Sequence, residues 1–487
     1  MYGDGILVLD FGGHEGRAIA RRVRGEQVFS TLLPISASLD QIEKQRARGI
    51  IIAGDPGYDA FSPNAPQIPE GVLQLNLPIL GIGYGARILL RMAGAKLKGS
   101  QFGITAHGIT FSDTKLFTDL ELSDRTFDRL DDVELPQGYS RIAATEEGQC
   151  VAFENVDSKL WGMQFCPEAN DPDGLLILRN FAKLISQAQS DWNMQNFIED
   201  SGAYLRESVG DRQALIAISG GVDSAVCATL MHRALSDRLH CVHVDTGLMR
   251  AGEREMVQQY FASVGIPMQV IETKDRFISA LYGLSGSAEK RDAMYREYGR
   301  VVKEALLDMG SGAICAQGTI YDDLLDEPAY WDHPNADLLE PLKMLFKDEV
   351  RELGGLMQLP PELVNRQAFP GPGLALRCMG AVTAEKIDLV RRADRIFREE
   401  IITAGLDKRV RQYFAVLTDT MTAGTQGTGH TIVLRAVNPG HAHGAAAFRM
   451  PYDLLERTCE RITDEIPQIN RVVYDVTSVP PGFIEWA

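Results

Sequence analysis

Apolar runs that end in glycine turns and lead into helical spacing recur along this chain, and they set its fold class. Gly5-Ile-Leu-Val-Leu-Asp-Phe-Gly-Gly reads as a buried strand closed by a turn, with a helix expected over 15–24. Gly49-Ile-Ile-Ile-Ala-Gly and Leu77-Pro-Ile-Leu-Gly-Ile-Gly-Tyr-Gly repeat the pattern, the second leading into a helix over 86–92. Strands alternating with helices predict a parallel α/β sheet. From 103 to 166 the pattern changes to short β-like pieces. A linker over 185–210 follows, with an amphipathic helix over 194–209 and Trp192 as a packing anchor. A second α/β stretch then begins: a strand at 214–218, the turn Ser219-Gly220-Gly221, and a helix from Val222. A strand from His240 ends in another glycine turn before Arg250. Past the stiff connector Phe369-Pro370-Gly371-Pro372-Gly373 come a helix over 384–404, a strand at 432–437 and a helix over 451–462.

At 487 residues the chain is too long for one core, and roughly three domains are expected. Apolar content of 45% and charged content of 24% are those of ordinary globular proteins. The 49 basic and 66 acidic residues give −17, which argues against bulk binding to nucleic acid or to an anionic membrane. A local basic pocket for one phosphorylated small molecule is compatible with that balance. Seven cysteines without CxxC or zinc spacing point to free thiols in a reducing compartment. With no signal-like start and no apolar segment long enough to span a bilayer, a cytoplasmic protein is expected.

The candidate chemistry lies at 214–230. A strand, a double glycine and a helix start bring backbone N–H groups and a positive dipole end to one place, which makes an anion site. Ser219 and Ser224 add hydroxyls. Asp223 belongs beside a phosphate only if a cation bridges the two. Ser-Gly-Gly-Val-Asp-Ser lacks the Gly-Lys-Ser/Thr ending of a Walker loop and resembles the pyrophosphate loop of the ATP pyrophosphatases. That resemblance implies that Ser219, Gly220, Gly221, Val222, Asp223 and Ser224 grip ATP, and that a substrate oxygen attacks the α-phosphorus.

The rest of the chain resembles the GMP synthetase family from Ile6 to Trp486. The implied fold is a class I amidotransferase-like α/β domain over 1–188, an ATP pyrophosphatase parallel-sheet domain over 189–368, and a small α+β dimerisation and substrate-binding domain over 369–487. His-Val-Asp-Thr-Gly-Leu-Met-Arg resembles the family's Val-Asp-Asn-Gly-Leu-Leu-Arg. It implies Val244, Gly247 and Leu248 as the adenosine floor and Arg250 as a residue steadying phosphates; a surface helix cap is the alternative for Arg250. Gln-Gly-Thr-Ile-Tyr-Asp-Asp places Gly318 beside ATP, and Asp323, with Asp223, as a ligand of Mg²⁺. Lys347 matches the lysine that reaches the leaving pyrophosphate. Arg300, Pro372, Gly373, Arg377, Arg435, Ile484 and Glu485 are the implied acceptor contacts.

Departures from the family pattern are as informative. The amidotransferase elbow Gly-Ile-Cys-Tyr-Gly-Met-Gln is here Gly81-Ile82-Gly83-Tyr84-Gly85-Ala86-Arg87, so Gly83 stands where the nucleophile belongs. Cys166 replaces the histidine, leaving Glu168 alone of the triad, and a glycine offers no atom for an acyl-enzyme. Asp55 interrupts the oxyanion-hole Gly-Gly-Pro. The lid over 329–339 is shortened, with His333 and no lysine. Val479 replaces a phosphate-binding lysine, Phe483 a threonine, and His443-Gly-Ala-Ala-Ala447 a Met-Thr-Ala-Asp-Trp. The expectation is an ATP- and Mg²⁺-dependent ligase that adenylates an oxygen of a purine-like or other heterocyclic acceptor for displacement by ammonia or another amine, without glutaminase activity and as a homodimer. The alternatives are an ammonia-dependent GMP synthetase acting on XMP, and a non-catalytic nucleotide-binding regulator or scaffold.

Overall fold

The computed structural model describes residues 4–13, 15–120, 124–167, 171–310, 312–326, 337–367, 369–425, 427–439 and 444–486. The chain forms two compact units, Met1–Asn196 and Phe197–Ala487. Glu168, His333 and His443 lie outside the described residues.

The first unit is built on an eight-stranded sheet. Its parallel part takes Ser30–Pro34, Ile6–Asp10, Gly49–Ala53, Ile79–Ile82 and Leu160–Met163 in that spatial order, and three antiparallel strands extend it. Gly49–Ala53, inside the parallel part, is a continuous apolar run buried on both sides, with Ile50, Ile51 and Ile52 fully buried. The expected helices are Glu15–Gly25 and Tyr84–Met92. A separate antiparallel pair, Lys96–Ala106 with Arg125–Glu134, accounts for part of the short β-like region. Trp192 is buried, its ring centroid 4.8 Å from that of Phe29.

The second unit holds an all-parallel five-stranded sheet with Ala214–Ala217 at its centre, between Leu239–Asp245 and Ile314–Ala316. Helix Val222–Leu235 leaves the central strand. A four-stranded sheet contains the long hairpin Gln412–Gly424 and Gly427–Pro439, with Ile469–Asp475 parallel to its second arm. Helix Ala384–Thr403 packs on this sheet. One hydrophobic cluster joins Leu215, Val242 and Val244 of the parallel sheet to Leu374, Phe397 and Leu434 further along, so packing is continuous across residue 369. No helix among the described residues is long and apolar enough to cross a membrane.

Candidate active site

The centre of the site is the turn after the central strand of the parallel sheet, at the carboxyl edge where such sheets gather ligands. Gly220 has φ +83°, a conformation that side-chain-bearing residues avoid. The turn is held by its own serines: Ser219 N–H donates to Ser224 Oγ at 3.2 Å, Gly221 N–H to Ser219 Oγ at 3.3 Å, and the two hydroxyls are 3.0 Å apart. Gly318 comes so close to this turn that a Cβ there would sit 3.0 Å from the Asp223 carbonyl and Ser224 nitrogen. Arg366 donates to the Gly220 carbonyl and pairs with Glu253 at 2.6 Å.

Lys347 opens the helix Lys347–Leu356 and sets its Nζ 2.8 and 2.6 Å from the two Asp223 oxygens. Two links hold the start of this helix against the short helix Tyr321–Asp326. Tyr321 N–H donates to Leu345 O at 2.8 Å, and Lys347 N–H donates to Asp322 Oδ2 at 3.0 Å. Asp323 accepts from Ile320 N–H at 2.9 Å.

Two cavities flank the turn. One, about 280 Å³, is lined by Ser219, Gly221, Val222 and Asp223, by Val244 and Leu248 from the neighbouring strand end, by Gly373, and by the cations Lys347, Arg351 and Arg366. The other, about 210 Å³, shares Ser219, Asp223, Tyr298 and Gly371 with the first and adds Ser224, Gly318, Thr319, Asp323 and apolar residues of helix Ser287–Asp308. Asp223 and Asp323 therefore face a common space. Among the described residues no group of three or more His, Cys, Asp or Glu is placed to hold a metal.

Several implied residues stand elsewhere. Arg250 lines neither cavity: it is buried with its Nε 3.2 Å from Asp394 and its guanidinium 4.5 Å from the Phe369 ring centre. The later helix Ala384–Thr403 supplies that carboxylate, a partner that local sequence could not announce. Arg300 is 69% exposed, pairs with Glu297 at 3.1 Å and lines neither cavity. Arg291, earlier on the same helix, meets Glu485 at 2.7 Å. Arg435 is buried against Asp475 and donates to Phe483 O at 3.0 Å. Arg377 lies fully buried over the Phe414 ring, 4.0 Å from Glu485, and burial holds its pKa down at about 10. Ile484 packs against Phe414, Val416 and Val433. Pro372 is buried at the turn that sends Leu374 N–H to Leu248 O at 2.8 Å, and Gly247 N–H donates to Asp245 Oδ1 at 2.9 Å. Arg351 and Arg366 were not foreseen. Arg351 follows Lys347 by one helical turn, a spacing that would have revealed it.

In the first unit, Gly83 precedes helix Tyr84–Met92 at φ 57° and ψ −114°, and a Cβ there would meet nothing within 4 Å. The elbow's backbone is kept and its thiol is absent. Cys166 hydrogen-bonds Glu15; burial, reinforced by the Glu15 charge, pushes its thiol up to about 12. Burial likewise raises Glu15, with Asp55 and Asp128 adding to the effect. Arg87 is buried, its Nη1 3.3 Å from Arg129 O.

Comparison with known proteins agrees with this architecture. The class-I glutamine amidotransferase family matches residues 7–184, the PP-loop domain 187–309, and the GMP synthase C terminal domain 399–486. GMP synthase (glutamine-hydrolyzing) of Finegoldia magna is 40% identical, covering 99% of each chain. The chain belongs to the GMP synthase family. The enzymes of the same name from Acetivibrio thermocellus and Halothermothrix orenii are 40% and 39% identical, covering 99% and 100% of each chain. Family membership makes this an ATP pyrophosphatase-type C–N ligase.

Proposed function

We propose that this enzyme adenylates an oxygen of a purine-like heterocycle and passes the activated carbon to ammonia or another amine, without hydrolysing glutamine. The observation that carries the second half is Gly83: the elbow is built, yet no nucleophilic atom stands on it. Cys166 does not replace it, because a thiol held near 12 is protonated at neutral pH.

The first half rests on the charged cavity. ATP fits with adenosine against Val244 and Leu248 and its phosphates toward the 219–224 turn, Lys347 and Arg351. The acceptor oxygen bonds to the α-phosphorus as the bond to the bridging oxygen breaks, and pyrophosphate leaves with that electron pair. The amine then bonds to the acceptor carbon, AMP leaves with its oxygen, and the amine loses a proton. Lys347 stabilises charge on the departing pyrophosphate. The hard carboxylate oxygens of Asp223 and Asp323, facing one space, fit Mg²⁺, which would neutralise phosphate charge when bound. A homodimer through the last hundred residues is part of this reading, supported by the exposed apolar side chains Tyr452, Val473 and Val476.

A second reading, ammonia-dependent synthesis of GMP from XMP, is favoured by full-length identity to GMP synthases. The test is pyrophosphate release from Mg²⁺-ATP with XMP, other purine nucleotides and free heterocycles, each with ammonium and with glutamine. Turnover with ammonium alone is expected. Glutamine-supported turnover would refute the loss of glutaminase, XMP as best acceptor would select the second reading, and no release with any acceptor would refute adenylation.

A further inference from the structure

Glu253 opens the helix Glu253–Ser263 and is only 4% exposed, yet it lines neither cavity. A carboxylate withdrawn that far from water is tolerated only when its oxygens are paired. One oxygen meets Arg366 at 2.6 Å, and the other accepts the Arg250 N–H at 3.2 Å. We propose that Glu253 is a positioning residue for the phosphate turn. It fixes the guanidinium of Arg366, and Arg366, by holding the Gly220 carbonyl, sets the direction in which the next N–H meets ATP's phosphates. The inference rests on the seating of ATP proposed above.

A trans peptide is planar, so its C=O and N–H point in opposite directions. Arg366 donates to Gly220 O, and that contact turns the Gly221 N–H to the other side of the peptide. Gly221 lines the larger cavity, and its N–H donates to Ser219 Oγ at 3.3 Å, a long bond that a phosphate oxygen can replace. Gly220, at φ +83°, has no side chain with which to hold this peptide in place. The hold comes from outside the turn: a Cβ built on Gly220 would lie 3.2 Å from Arg366 Nη1 and 2.8 Å from Met249 Cε. Arg366 in turn depends on Glu253. Burial pulls the Arg366 pKa below its ordinary value, and the Glu253 carboxylate opposes that shift. The same carboxylate, through the Arg250 N–H, braces the loop that carries Leu248 and Met249 into the cavity.

The test uses the full chain with Glu253→Gln, Arg366→Gln and the double variant. Glutamine at 253 keeps an oxygen for the Arg250 N–H and removes the charge that fixes Arg366. Calorimetry measures the binding of inorganic pyrophosphate, a non-hydrolysable ATP analogue and adenosine. Pyrophosphate and the analogue should weaken about tenfold in each single variant, the scale of one lost charged hydrogen bond. The double variant should be no weaker than either single one, because the two residues act through one contact. Adenosine affinity should stay within about twofold throughout, since distant apolar contacts are untouched. A merely structural role would lower the urea midpoint and weaken all three probes together, and that pattern would overturn the proposal. So would losses that add in the double variant, or unchanged pyrophosphate affinity in Glu253→Gln. Tighter pyrophosphate binding there would also overturn it, by reducing the carboxylate to a mask over a cation. If the unpaired arginine in Glu253→Gln prevents folding, the double variant, which carries neither charge, takes its place: parent-like pyrophosphate affinity in it would overturn the proposal. A parent that binds neither pyrophosphate nor the analogue would refute the seating of ATP and this inference with it, whereas indifferent variants of a parent that binds both would refute this inference alone.

Discussion

At residue 83 the main chain still makes an elbow, and the missing atom is a side chain that could be put back. The open space around a built Cβ accommodates Gly83→Cys, although a non-glycine residue at φ 57° and ψ −114° costs about 1–3 kcal/mol. Gly83→Cys alone should produce no glutamate from glutamine above the unmodified enzyme, because the new thiol lacks an imidazole base. The double variant Gly83→Cys/Cys166→His should produce measurable glutamate; activity in the single variant would show that a base is not what is lacking. At the ligase site, Lys347→Met should cut pyrophosphate release by about a hundredfold, the scale of removing one positioned charge from a transition state. The half-buried Asp223 loses its cation as well. A variant within about threefold of the parent would remove Lys347 from the mechanism.

The helix that begins at Lys347 is tied to the short helix Tyr321–Asp326 by Asp322, whose carboxylate accepts the longer helix's first N–H. An aspartate there satisfies an orphan donor and favours the dipole, worth about 0.5–2 kcal/mol. Asp322→Ala should therefore lower kcat about fivefold with KM for ATP nearly constant, and Asp322→Asn, which keeps an acceptor, should recover most of it. Loss of thermal stability with kcat unchanged would make the contact merely structural. The strand Leu239–Asp245 carries a second test. His243 is buried, with Nδ1 2.8 Å from Ile218 O at the mouth of the phosphate turn, and burial lowers its pKa below 6.5. The unfolded chain takes up a proton near 6.5 that the folded chain refuses, so this residue's effect is absent above that pH and stability falls as pH drops below it. Urea unfolding midpoints should fall less between pH 7 and pH 5.5 for His243→Gln than for the parent. Strand and helix positions were legible because apolar period and glycine turns are local signals. Side-chain destinations were not: Arg250 is claimed by Asp394 from a distant helix, and which of Arg291 and Arg300 faces Glu485 depends on how their shared helix is rotated.

At the scale of the whole chain, the family's three segments are visible in sequence because each begins with its own motif, whereas packing recognises two units. A single hydrophobic cluster runs from Leu215 through Leu374 to Ile469, so the connector at 369–373 is a turn within one core. Both cavities and every residue proposed for adenylation fall in Phe197–Ala487. With its own core and its own site, that unit meets the physical requirements of an independent domain. A chain of residues 197–487 should unfold cooperatively. With saturating ammonium and the responding acceptor, it should release pyrophosphate within about threefold of the full-length rate. The comparison also measures what the first unit is for. If the folded fragment loses more than tenfold while binding the ATP analogue normally, the unit lacking a nucleophile supports catalysis in some other way, and its retained elbow and buried Arg87 become the places to look. If the rates match, ammonium reaches the ligase site without it, as the glycine at position 83 requires.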